Sequence, residues 1–149
     1  DLVFAEHMIE HLTYAEGLRC LRECQRVLRP GGRIRLATPS IEHLIRLFAP
    51  ELTELERRYL RWSIDTWVED ADAYLPGLVL NNMFWNFEHR FIYDRGTLGH
   101  ALRAAGFVDV EEWPVGQSAD SRLQGLERHM RSVPEFNAFE TLVLEACRQ

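Results

Sequence analysis

Leu2, Val3, Phe4 and Ala5 follow one another without polar alternation, the pattern of a strand covered on both faces inside a parallel sheet rather than one facing water. Thr13-Tyr14-Ala15-Glu16 has the spacing of a capping box, in which a hydroxyl and a carboxylate satisfy opposing backbone N–H groups at a helix start. Leu18, Leu21, Cys24, Val27 and Leu28 then recur at three- and four-residue steps, with Arg19, Arg22, Glu23 and Arg26 between them, so a single amphipathic helix is predicted. Pro30-Gly31-Gly32 ends it, because proline disfavours helical backbone at the residue before it and glycine accepts positive φ. Arg33-Ile34-Arg35-Leu36-Ala37-Thr38 reads as a second strand stopped by Pro39. Strand, helix and strand within about forty residues form a βαβ unit, whose strands run parallel through a right-handed crossover.

From Ile41 to Trp85 the period is helical, with Ile41, Leu44, Ile45 and Phe48 on one stripe and Leu52, Leu55, Tyr59, Trp62 and Trp67 on another. That length exceeds a simple crossover and predicts a helical insertion over about residues 41–90, packed on one end of the sheet. Asp94 is placed to cap a helix through Leu98–Arg103, which Gly106 closes. Val108-Asp109-Val110-Glu111 alternates and Pro114 follows, as in an edge strand with one wet face. Phe139–Ala146 reads as the last strand.

At 149 residues, 46% hydrophobic and 27% charged, the chain has the composition of one globular domain. A net charge of -6 with scattered Arg residues offers no footprint for a phosphate backbone, and no nucleic-acid partner is expected. No apolar run approaches the roughly 20 residues of a membrane-spanning helix, and a cytoplasmic setting is expected. Cys20 and Cys24 lie one turn apart on the predicted helix and Cys147 makes the number odd, which suits reduced thiols rather than a disulfide framework.

Asp1-Leu2-Val3 leading to His7-Met8-Ile9-Glu10-His11-Leu12, then Arg26-Val27-Leu28-Arg29-Pro30-Gly31-Gly32 and Leu36-Ala37-Thr38-Pro39, resembles the second half of a class I S-adenosylmethionine-dependent methyltransferase. His89, Tyr93-Asp94, Leu102, Ala105-Gly106-Phe107 and Val110 are similar to that family's closing helix and strand. The resemblance implies an α/β, Rossmann-like fold in which sheet order is 3-2-1-4-5-7-6 with strand 7 antiparallel. Residues 1–149 would then be the C-terminal part of the domain, supplying strands 4-5-7-6 with flanking helices and the helical insertion. S-adenosyl-L-methionine is the cofactor it implies. The family's glycine-rich turn after strand 1 has no counterpart here, and Gly31-Gly32 follows a helix and precedes a strand, the wrong order for a strand-to-helix cradle. Of the cofactor contacts, the resemblance leaves Ala5, Glu6 and His7.

Acceptor groups in such a fold gather at the carboxyl ends of the parallel strands. This draws attention to Glu6, His7, Glu10 and His11 after the first strand and to Pro39 and Ser40 after the second. Within the insertion, Phe84-Trp85-Asn86-Phe87-Glu88-His89 combines aromatics with a carboxylate and an imidazole. Trp85, Phe87 and Glu88 are accordingly candidate acceptor-binding residues with Glu10 and His11, and His7 and His89 are candidate proton acceptors. The plain alternative is that the aromatics are core and the histidines structural.

His7-Met8-Ile9-Glu10-His11 also spells H-x-x-E-H, the zinc-hydrolase pattern in which two histidines one helical turn apart bind the metal, with Glu88 as a further ligand. The helix-capping signal at Thr13 speaks against one helix through both histidines, and no metal is expected. A third reading is a non-catalytic methyltransferase-like assembly module. In it the apolar strand 1–5 pairs with a second copy or with a preceding half-domain.

Overall fold

The computed structural model describes residues 1–149. The capping box forms as spelled: Thr13 Oγ1 accepts the Glu16 N–H at 3.3 Å while the Glu16 carboxylate accepts the Thr13 N–H at 2.8 Å. Helix α1 then runs Tyr14–Val27. Its inward stripe is Leu18, Leu21, Cys24 and Leu28. Val27, placed on that stripe by spacing, is 59% exposed, since it lies about 100° round the helix from Leu28.

Four strands, β1 (Leu2–Glu6), β2 (Arg33–Pro39), β3 (Phe107–Glu112) and β4 (Thr141–Arg148), make one sheet in the order β1-β2-β4-β3. β1 and β2 are parallel, and β4 runs antiparallel to both of its neighbours. β1 lies at one end of this sheet, and its side chains are only partly buried, in contrast to the doubly covered strand its apolar run predicts. Pro39 does not stop β2 but is its last residue, opposite Thr141. β3 is the other end strand; a register shift between Val108 and Glu111, with Asp109 at φ 51°, forms a bulge there.

The remaining helices are α2 (Ile41–Arg46), α3 (Glu54–Trp67), α4 (Pro76–Trp85), α5 (Arg95–Ala104) and α6 (Pro134–Glu140). Asp94 caps α5 through the Thr97 N–H at 2.8 Å. One apolar core lies between the sheet and α1 and α5, centred on Ile34, Leu36, Leu98, Leu102 and Leu144. A second binds α2, α3, α4 and α6 into a cap, through Leu44, Tyr59, Ile64, Val79, Met83 and Phe136. On α2 the buried pair is Leu44 and Leu47, whereas Ile45 and Phe48 face outward. Helix α6 corrects the last predicted strand: Phe139 and Glu140 belong to the helix, which Pro134 opens at a position where its missing N–H costs nothing. Phe136 and Phe139 both pack on Tyr59. No helix is long and apolar enough to cross a membrane.

Alternation along β2 sends Ile34 and Leu36 into the helix-covered core and Arg33 and Arg35 to the opposite face. There Arg35 is completely buried. Its guanidinium donates to Glu127 at 2.6 Å, to Glu145 at 2.5 Å and to the Gln117 carbonyl at 2.8 Å. Arg33 donates to the other Glu145 oxygen at 2.9 Å, and the Gly116 N–H donates to Glu127 at 3.0 Å. The long connection between β3 and α6 is thereby fastened across the sheet. Arg35→Met, which takes the shared guanidinium from two buried carboxylates and leaves one oxygen of each unmatched, is expected to cost about 3–5 kcal/mol of unfolding free energy. Arg26→Ala, which removes an exposed pair with Glu23, should leave the urea midpoint essentially in place; equal effects would show that the buried network has no special weight.

Candidate functional site

The chain leaves β1 through a tight turn. His7 adopts φ 47° and its N–H donates to the Ala37 carbonyl at 2.9 Å; a single 3-10 turn, Ile9–His11, then reaches Leu12 before α1 is capped. This compression folds Glu10 under the carboxyl ends of β1 and β2, where it has no solvent exposure. One Glu10 oxygen accepts the Thr38 hydroxyl at 2.9 Å; the other lies 3.2 Å from His7 Nδ1 and 3.9 Å from His89 Nε2. The Glu10 carbonyl accepts the N–H groups of Arg90 and Phe91, which brings the segment after α4 alongside and sets His89 edge-on to His11.

A fourth imidazole arrives from the loop between β3 and α6. The Glu6 carboxylate accepts the backbone N–H groups of Arg128 and His129 at 2.8–2.9 Å, placing the His129 ring 3.8 Å from that of His7. Glu140, at the end of α6, completes the ring of polar groups and accepts the Tyr59 hydroxyl. These side chains face a cavity of about 220 Å³, whose other walls are Trp62, Ser63, Trp67, Met83, Phe87 and Met130.

Burial works on His89, His129, Glu140 and Tyr59 in the direction of their neutral forms. It pushes His89 below its ordinary value against the pull of Glu10, and it pushes His129 down to about 4, assisted by repulsion from His7. Burial also raises Glu140, and raises the Tyr59 phenol well above its usual range. Glu10 is the exception: burial would raise it, but hydrogen bonds from His7 and Thr38 hold it below the usual carboxylate value. The site therefore sets a charged Glu10 carboxylate close to His89 and His129, two rings held toward their neutral forms. Such a set can accept a proton, orient a hydroxyl or amine, or ligate a cation.

Of the residues singled out in the sequence, the structure brings together His7, Glu10, His11, Phe87 and His89. It does not bring in Trp85, which is 79% exposed, or Glu88, which is exposed at φ 56°. The reason is helical phase: Val79 and Met83, four residues apart on α4, take the inner side, and Trp85 two residues on points outward. Ala5 packs into the sheet core, and Glu6 is engaged with the backbone of Arg128 and His129. Residues 7–11 form no α-helix, so the H-x-x-E-H spacing does not produce the helix-borne pair of ligands that its hydrolase reading requires. Sequence reasoning missed His129, in a loop without periodicity, and Glu140, read as part of a strand. Trp62 and Trp67 stood on a recognised apolar stripe but were read only as packing.

The sheet order β1-β2-β4-β3, with β4 antiparallel, corresponds to strands 4-5-7-6 of the class I methyltransferase sheet, and residues 1–36 match the family model described as a methyltransferase domain. The chain has a class I methyltransferase-like fold. Two solved structures align with 99% of it at 13% identity: a provisionally assigned O-methyltransferase from Nostoc punctiforme, at a TM-score of 0.50, and a possible exported protein from Bordetella parapertussis, at 0.56. The chain spans 31% of the first and 38% of the second, about a third of each. No curated protein matches it in sequence. In this methyltransferase-like frame the histidine-lined cavity sits where open α/β sheets place their ligands, outside the carboxyl ends of the parallel strands.

Histidine-selective NMR titration tests the electrostatics directly. His129 should turn over near pH 4 and His89 below about 6.5; ordinary midpoints for both would mean that the two rings are hydrated and the cluster is not closed.

Proposed function

We propose that this protein transfers a methyl group from S-adenosylmethionine to an acceptor held in the histidine-lined cavity. The observation that carries this reading is the Glu10–His7 pair: a fully buried carboxylate faces Nδ1 of an imidazole whose Nε2 is left without a partner beside the cavity. A carboxylate on one ring nitrogen fixes the tautomer and stabilises the imidazolium that forms when the other nitrogen takes a proton. His89, on the far side of Glu10, is the second candidate for that proton. The aromatic walls suit an acceptor with an apolar body and one protic group.

S-adenosylmethionine supplies an electrophilic methyl group, and its transfer depends on alignment with the acceptor atom. Of the three expected cofactor contacts, only His7 offers the cavity a free polar atom, because Ala5 is in the core and Glu6 is spent on backbone N–H groups. Ala5–His7 therefore do not themselves form a cradle for the cofactor. The reading assigns its binding chiefly to the glycine-rich turn and acidic residue that the family places on other strands. The outer edge of β1, paired on one side only, supports a second strand joining there, from a preceding segment or a second copy. That same edge favours the alternative of a non-catalytic assembly module.

Calorimetric titration of S-adenosylhomocysteine into the full-length protein, with light scattering for size, separates the two. Micromolar binding supports the enzyme, and absence of binding supports the module. In the active protein, His7→Ala should lower kcat by about 10²–10⁴-fold with little change in S-adenosylhomocysteine affinity; unchanged turnover would remove His7 from the chemistry.

A further inference from the structure

We infer that His7, His129 and Glu140 form a binding site for a divalent first-row transition-metal ion, which neither the fold nor the methyl-transfer reading requires. One ligand atom from each of the three residues lies within 4.8 Å of the others. In a tetrahedral site with metal–ligand bonds near 2.1 Å the ligand atoms stand about 3.4 Å apart, so a contraction of about an ångström closes it. The exposed His129 side chain supplies that movement by rotation about its own bonds while Glu6 holds its backbone, and His7 at a strand end and Glu140 at a helix end are the fixed partners.

Two observations point to a ligand rather than to a polar cluster that satisfies itself. First, His7 Nε2 is buried and has no hydrogen-bond partner. With Nδ1 turned to Glu10 at 3.2 Å, the unused nitrogen is the one that carries the lone pair, on a ring that lies 3.8 Å from that of His129 and lines the same cavity as Glu140. Secondly, the outer layer of a metal site is already built: Glu10 backs His7 and is itself held by Thr38, while the Tyr59 hydroxyl fixes the Glu140 carboxylate. Carboxylate-backed histidines and hydrogen-bonded ligand carboxylates are what orient metal ligands and raise their basicity.

Two imidazoles and one carboxylate are the donor set of three-ligand zinc sites and of two-histidine, one-carboxylate iron(II) sites, which leave coordination positions open. The open side here faces the cavity and its aromatic walls. Imidazole donors favour zinc, cobalt or iron over magnesium or calcium, which take oxygen ligands. The second group, Glu10, His11 and His89, is the weaker candidate, because the free Glu10 oxygen is the one turned to His7. When an ion occupies the first site, His7 is a ligand and the proton-accepting role passes to His89.

The test uses metal-free full-length protein titrated with ZnCl₂ by calorimetry and with CoCl₂ by visible absorption. The expected result is one ion per chain, with a cobalt spectrum of low coordination number. His129→Ala should weaken zinc binding more than 100-fold while leaving the thermal melt of the metal-free protein in place, and Glu10→Gln should weaken it about 10–100-fold. His100→Ala, at an exposed histidine on α5, should change nothing. Absence of binding, binding that survives His129→Ala, or binding lost in His100→Ala would each overturn the proposal. None of these readouts depends on methyl transfer, so the site and the activity stand or fall separately.

Discussion

Arg35 holds a positive charge on the face of the sheet away from α1 and α5, with no access to water. A lone guanidinium there would be prohibitively costly, and two carboxylates and a carbonyl make it tolerable. What the arrangement achieves is placement more than net stabilisation, since buried ion pairs roughly balance their own desolvation. Glu145 comes from the neighbouring strand and Glu127 from the loop between β3 and α6, so the loop has one position in which all three charges are met. Two residues beyond Glu127 is His129. The ionic network behind the sheet thus sets the position of a ring in front of the strand ends.

The two apolar cores divide the remaining work. The first presses α1 and α5 onto the sheet and fixes the strand ends. The second assembles the cap, whose inner wall of Trp62, Met83 and Phe87 covers the polar groups that those strand ends present. Covering is what gives two of the imidazoles their character: with water replaced by aromatic side chains, His89 and His129 are driven toward neutrality while Glu10 keeps its charge through directed hydrogen bonds. Apolar packing and proton affinity at this site are one property viewed twice.

Elements written by local rules were legible in the sequence. The Thr13–Glu16 box, the Asp94 cap and the stripe of α1 depend on neighbours within four residues, and each appears where its spacing puts it, with Val27 alone turned off the stripe. The order of the strands followed from resemblance. What could not be read was set by contacts far apart in the chain. Phe139 and Glu140 look like strand residues until Tyr59 is seen to hold both. Trp85 looks like a pocket residue until the phase of α4 is fixed by Val79 and Met83 in the cap core. His129 carries no periodic signal at all, and its address comes from Glu6, more than a hundred residues away, together with the network at Glu127.

That address is written in an unusual way. Glu6 grips the main chain at Arg128 and His129 and touches neither side chain through these bonds. Any residue with a backbone N–H could be presented to the cavity from position 129 in the same manner. The last residue of β1 therefore acts as a tool holder, and the tool it carries can be exchanged in evolution or by design without rebuilding the mount.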